Sequence, residues 1–133
     1  MKKLYALVFI SLLAISSRAN ELASSFEQAF ALACAQREER ATQAYLHLDL
    51  MPYYKKKYSP VFVSCLRSTD HPDMSTFSFV AAIGKDGRVL RLYVDHETNL
   101  FACVRPTLQQ DEFPHPPHSH SPYYMSVTMS FGN

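Results

Sequence analysis

The sequence predicts an α+β fold in which an N-terminal helical region packs on a small three-stranded antiparallel sheet, with the order α-β-β-α-β. Residues 77–94 place apolar side chains at every second position on both sides of a glycine-containing turn, as a β-hairpin does. Residues 21–48 are rich in Ala, Glu, Gln and Leu and contain neither Gly nor Pro, which predicts helix. Residues 123–131 alternate again and predict a final strand.

The first 19 residues have the layout of a secretory signal peptide. Lys2 and Lys3 precede an apolar run over residues 4–15, and Ser17 and Ala19 are the small residues that a signal peptidase recognises. This run is shorter than the roughly 20 apolar residues of a transmembrane span. We therefore predict cleavage after Ala19 and a periplasmic or secreted chain, with an uncleaved membrane anchor as the alternative.

This cleavage divides the chain into a signal peptide (1–19), a helical region (20–74) and a C-terminal module (75–133) that forms one compact domain with the helical region. The signal peptide takes away three of the 13 basic residues, which leaves 10 against 12 acidic ones and a formal charge of −2. Such a charge gives no strong field for nucleic acid or anionic lipid. We expect neither nucleic acid nor, after cleavage, a membrane as partner.

The first part of the helical region is predicted to be one long amphipathic helix, with an interruption left open. Cys34 lies on its apolar face, which predicts a small buried hydrophobic residue and not a reactive thiol. The apolar face consists of Phe26, Phe30, Ala33, Cys34, Ala41, Tyr45 and Leu48.

The second part is harder to assign because it contains two prolines. Pro52 either opens a second helix or breaks the first, and Ser59 followed by Pro60 is typical of a helix N-cap and its first residue. Residues 61–66 favour a helical face, although their alternation also fits a strand. The basic run 55–57 between tyrosines is interpreted as a solvated face with lysine stems packed on the rings.

In the C-terminal module, Gly87 is suited to the left-handed position of a three-residue hairpin loop with a bulge. After the turn, an apolar row of Leu90, Leu92 and Val94 alternates with Val89, Arg91 and Tyr93. A short amphipathic helix is predicted from about 98 to 110 because Leu100, Val104 and Leu108 recur every four residues. Pro106 falls inside it, so this helix either kinks there or ends near Arg105.

The order of strand, Asp-Gly-Arg-Val turn (86–89), strand, helix, Phe-Pro-His-Pro-Pro (113–117) and strand resembles the C-terminal domain of the energy transducer TonB and its relatives. The resemblance covers roughly residues 75–131. It implies the fold above, an envelope location and an envelope protein as partner. In that family, the last strand pairs with a short extended segment of an outer-membrane receptor.

The resemblance places the equivalent edge at residues 123–131. The side chains that would point away from the core and contact a partner are Tyr124, Ser126, Thr128 and Ser130. The alternative is that this strand only closes the core.

The function implied is a periplasmic, TonB-like, non-enzymatic binding or accessory domain. TonB itself transmits force through an anchor and a long proline-rich spacer, whereas here the corresponding region is the helical stretch 21–74. One alternative is a structural or inhibitory envelope protein that uses the helical region as its contact surface. Another is a membrane-anchored energy-transducer relative, if the N-terminal segment remains uncleaved.

Three cysteines allow three single disulfides in an exported chain. We predict the pair Cys65–Cys103, because each residue lies in a segment that must pack beside the hairpin. A linkage through Cys34 remains the alternative.

No motif in the sequence indicates catalysis or a bound metal. His115, His118 and His120 lie on a proline-stiffened connection without a cysteine or carboxylate at matching spacing, and a closed metal site needs four ligands. No Gly-x-Ser-x-Gly elbow or phosphate-binding glycine loop occurs. We therefore expect no enzyme activity, no cofactor and no metal.

Overall fold

The computed structural model describes residues 21–132, so the predicted signal peptide and its cleavage site lie outside the described residues. The predicted α+β class and the order of helical region, hairpin, helix and last strand are confirmed. In chain order the elements are α1 (Phe26–Glu38), α2 (Arg40–Ala44), a π-helix (Tyr45–Leu50), α3 (Met51–Ser68), β1 (Phe77–Ile83), β2 (Val89–Val94), α4 (Asn99–Gln110), a 3-10 turn (His118–His120) and β3 (Tyr123–Met129).

The three strands form one antiparallel sheet in the order β2-β1-β3. β1 is central, and its register with β3 runs from Phe77 opposite Met129 to Ile83 opposite Tyr123. β3 is therefore an edge strand although it comes last in the chain. We call its side away from β1 the β3 outer edge, and no other strand of residues 21–132 lies beside it.

Both faces of the sheet are covered. One face packs against α3 and α4, and its fully buried row is Phe77, Phe79, Ala81 and Ile83. On the opposite face, Ala29 and Ala33 of α1 pack against Val80, Ala82, Tyr93 and Tyr124. The small alanine side chains let the helix backbone approach the sheet closely, which is why β1 is buried on both faces and not half-buried.

The predicted hairpin is confirmed, including its bulge. Gly87 has a φ of 83°, and a Cβ built there would lie 2.0 Å from the Phe113 carbonyl oxygen, so only glycine fits. A second bulge, which the sequence analysis did not predict, follows in β2, where Ala82 pairs with Arg91 and Ile83 with Val89. Leu90 is the extra residue of this second bulge and is half exposed, so its predicted place in the row of Leu92 and Val94 is wrong. Val89 packs on the main core instead.

The predicted single helix over 21–48 and its apolar face are only partly correct. Glu39 has an extended backbone (φ −76°, ψ 131°) that separates α1 from α2, and the following π-helix adds a residue to its turn. Both features change which side of the following helical turns is buried. Phe30 and Leu48 are 37% and 74% exposed, and Cys34 is an exposed free thiol, so the expectation that it is buried is wrong. The residues buried in this region are Ala29, Ala33, Thr42, Tyr45, Leu46 and Leu50.

The structure decides between the alternatives for Pro52 and Pro106, whereas Pro60 acts differently from the prediction. Pro52 stands in the first turn of α3, as expected for a helix start. Ser59 does not cap a new helix, because α3 continues through Pro60. α4 likewise continues through Pro106 to Gln110, so an end at Arg105 is excluded. Both interior prolines are exposed, where water can reach the carbonyl groups that lose a partner.

The predicted disulfide is confirmed. Cys65 in α3 and Cys103 in α4 are bonded, with their Cα atoms 5.9 Å apart. The bond ties the two helices that cover the main core face of the sheet.

Candidate functional site

The four residues predicted to contact a partner lie in different environments. Tyr124 is 4% exposed beneath α1, where its hydroxyl accepts a hydrogen bond from the backbone N–H of Ala23 at 3.0 Å. Its side chain is therefore part of the smaller core and not a surface contact. Ser126 is half-buried, whereas Thr128 and Ser130 are exposed.

Each of the three hydroxyl groups contacts one other side chain, and that of Ser130 lies 3.4 Å from Thr76 Oγ1. The Ser126 Oγ accepts a hydrogen bond from the Arg37 guanidinium at 2.6 Å. Thr128 Oγ1 and Ser78 Oγ are 2.8 Å apart across the β1–β3 pair, on the face of the sheet that α1 covers in part. Ser126 and Thr128 therefore remain within reach of a molecule at the strand edge.

The hydrogen bonds of Gln36 reveal which backbone groups face the β3 outer edge. Its side-chain oxygen accepts from the Tyr124 N–H at 2.7 Å, and its amide nitrogen donates to the Pro122 carbonyl at 3.0 Å. The Tyr124 N–H thus points away from β1. Backbone direction alternates along an antiparallel strand, so the N–H and C=O groups of Ser126 and Thr128 also point outward.

A cavity of about 300 Å³, which we call the edge groove, lies beside this edge. Consecutive strand residues point to opposite faces of a sheet, so a cavity lined by four consecutive residues of β3 must lie at its edge. α1 forms one wall, and the π-helix with the start of α3 forms the other. The lining residues are Ala33, Arg37, Leu46, His47, Met51, Tyr123, Tyr124, Met125 and Ser126.

The edge groove carries the positive charge of Arg37 at its α1 wall. Within residues 21–132 its lining contains no carboxylate, and Arg37 has no ion-pair partner there. Burial raises the pKa of the Tyr123 phenol, and the nearby charge of Arg37 opposes that rise.

A second polar cluster joins α3 to the end of α4. The buried carboxylate of Asp111 accepts hydrogen bonds from Tyr53 and Tyr58 at 2.7 Å and from Lys57 at 2.6 Å. Burial alone would raise the pKa of this carboxyl, but the bonds from Lys57 and the two tyrosines outweigh it and lower the pKa. Both carboxylate oxygens are engaged, so this is a structural lock. Lys57 also lies over the Tyr53 ring at 5.7 Å, whereas Tyr58 is in the core and not solvated.

Two histidines of the proline-rich connection, His115 and His120, have separate partners. His115 faces Glu112 at 3.7 Å, and His120 contacts both Ser119 and Glu39. The part of the chain that the structure describes contains no group of three or more His, Cys, Asp or Glu residues placed to hold a metal. Cys34 and His47 form no pair, since His47 contacts Gln43.

The sequence predicted the strand but not the two side chains of α1 that contact it. Gln36 and Arg37 meet β3 across 88 and 89 residues of sequence, and no local pattern encodes such a contact. The only signal for them was their place one turn after Ala33, on a helix that the sequence did predict.

No protein-family model, curated protein or solved structure matches the chain. Within residues 21–132, no helix has both the length and the apolar character needed to cross a bilayer. Fold and site together define a small disulfide-linked α+β domain with an open sheet edge beside a groove.

Proposed function

We propose that this protein is a non-enzymatic envelope protein of the TonB C-terminal type, which binds an extended segment of another envelope protein at the β3 outer edge. The observation that carries the proposal is the coincidence of outward backbone groups at Ser126 and Thr128 with the edge groove next to them.

Strand addition explains why both features are useful together. Main-chain hydrogen bonds supply affinity, and pockets for alternate side chains supply specificity. A new strand would lie about 4.8 Å from β3, in the space between α1 and the π-helix. Isolated π-turns within helical segments are frequent at functional sites, and Leu46 and His47 belong to one.

Export supports a periplasmic or extracellular partner. The signal-type N-terminus predicts export, and disulfides persist in oxidising compartments, which agrees with the bond between Cys65 and Cys103. Intact mass of the native protein tests the localisation: we expect a chain that begins at residue 20. A full-length, membrane-extracted species would favour an anchored energy-transducer relative instead.

A second candidate is a structural or inhibitory protein that binds through its helical region. The observation in its favour is that α1 leaves Phe30 and Leu32 37% and 39% exposed. Photo-crosslinking residues placed at Thr128 and at Leu32 separate the two candidates in the periplasm. We expect the adduct at Thr128.

The decisive variant is Thr128→Pro, with Thr128→Ala as its control. Because the Thr128 N–H points outward, proline removes a group offered to the partner without removing a bond to β1. Crosslinked or co-purified partner should be lost with proline and retained with alanine, while circular dichroism shows both variants folded. Equal recovery from both folded variants would contradict strand addition.

A further inference from the structure

We propose that the segment bound at the β3 outer edge carries an acidic side chain between two apolar ones, and that Arg37 binds the acidic side chain. This inference rests on the proposed function and specifies the chemistry of the partner segment. Three features support it. Arg37 is a cation whose partner at the edge is a neutral side chain, the geometry of β3 decides which face each partner residue points to, and Gln36 fixes where the pairing begins.

The cation is Arg37. Its observed partner at the edge is the neutral Ser126 hydroxyl, at 2.6 Å. A carboxylate can accept two parallel hydrogen bonds from a guanidinium and carries the opposite charge, whereas the Ser126 hydroxyl offers it one neutral oxygen. Since the groove lining described above has no carboxylate of its own, a carboxylate from the partner would meet no repulsion from it.

The sidedness follows from strand geometry. Residues directly opposite each other in a strand pair have side chains on the same face of the sheet. The Ser126 side chain lies on the α1 face, where it meets Arg37. The partner residue opposite Ser126 therefore points toward Arg37, and this is the acidic position.

The neighbours of that acidic residue point to the other face. There the groove is lined mainly by the apolar side chains of Leu46, Met51 and Met125, together with Tyr123 and His47. The matching segment is therefore apolar, acidic, apolar.

The fixed end is Gln36. Its side-chain amide already bonds the outward groups of Pro122 and Tyr124, as a neighbouring strand would. An added strand thus pairs from Ser126 toward Ser130, which places its acidic residue at the beginning of the pairing and beside Arg37.

The test uses three capped synthetic peptides, Ser-Thr-Val-X-Val-Thr-Ser, in which X is Glu, Gln or Lys. Binding to the exported chain is measured by calorimetry. We expect the Glu peptide to bind about fivefold more tightly than the Gln peptide, and the Lys peptide to bind most weakly. Arg37→Gln should remove the preference, and Arg37→Glu should reverse it in favour of Lys. Arg40→Glu, which makes the same charge change at an exposed position outside the groove, should leave the preference intact.

The outcomes separate this inference from the function beneath it. If all three peptides bind equally and Thr128→Pro abolishes binding, strand addition holds and the acidic specificity is wrong. If no peptide binds, or if Thr128→Pro has no effect, the proposed function fails and this inference fails with it. A dimer in sedimentation that Thr128→Pro dissociates would also overturn the inference, because a second copy would then occupy the edge.

Discussion

Replacement of Asp111 by asparagine should destabilise the domain by about 2–3 kcal/mol, a large part of the 5–15 kcal/mol typical of a domain. The carboxylate accepts from three side chains, of which Tyr58 is fully buried. Asparagine has one acceptor oxygen and presents N–H groups where a phenol or an ammonium donates. Lys57 is 39% exposed and can return to water, so most of the cost arises at Tyr58.

The pH dependence of this variant supplies a second test. The pKa of Asp111 is lowered from 3.8 in the folded protein, so its contribution is complete above the unfolded value and is lost as pH falls through the folded one. The gap between wild type and Asp111→Asn should therefore be wide at neutral pH and shrink below about pH 3.8.

Urea unfolding followed by circular dichroism at neutral and acid pH measures both effects. Asp70→Asn is the matched control, since the Asp70 side chain is 97% exposed, and we expect a change of less than about 0.5 kcal/mol. A gap below about 0.5 kcal/mol at neutral pH for Asp111→Asn, or a gap that stays constant into acid, would refute the assignment of Asp111 as a charged structural lock.

Two further variants test the frame around the sheet. Replacing Cys65 and Cys103 by serine should lower the free energy of unfolding in urea by about 4 kcal/mol, because the bond closes a loop across 38 residues. Cys34→Ser should change it little, and equal effects would contradict the assigned disulfide. Gly87→Ala should lower the thermal midpoint by several degrees, because its Cβ would fall 2.0 Å from a backbone oxygen, while Gly132→Ala, with nothing within 4 Å, should not. Scanning calorimetry decides, and an unchanged midpoint for Gly87→Ala would overturn the close contact.

The strands could be predicted because their signal is local. Side chains at Phe77, Phe79 and Ile83 repeat every two residues and are buried as a row, and Gly87 marks the left-handed position of the hairpin loop. The face of Leu90 could not be predicted, because the second bulge inserts one extra residue and so shifts the alternation along β2.

The sequence predicted that this region is helical, but not which side of each helix is buried. A stripe drawn at 3.6 residues per turn assumes an unbroken helix, and the extended Glu39 and the π-helix both shift it. Cys34 precedes both interruptions, and it is exposed because α1 turns the small residues Ala29 and Ala33 toward the sheet, and not its larger apolar side chains. The groove could not be predicted at all, because its walls meet through contacts such as that of Arg37 with Ser126, which depend on the finished packing.

The central position of β1 has a consequence for the time order of folding. β1 ends at Ile83, but β3, its second neighbour in the sheet, begins only at Tyr123. The helix α1 packs against Tyr124, and the Tyr124 hydroxyl accepts a hydrogen bond from Ala23 across 101 residues. A chain delivered from its N-terminus, by a ribosome or a translocon, cannot complete either layer until its final segment arrives. The β1–β2 hairpin can form earlier, but the sheet and the two layers that cover it are complete only after β3 has been added.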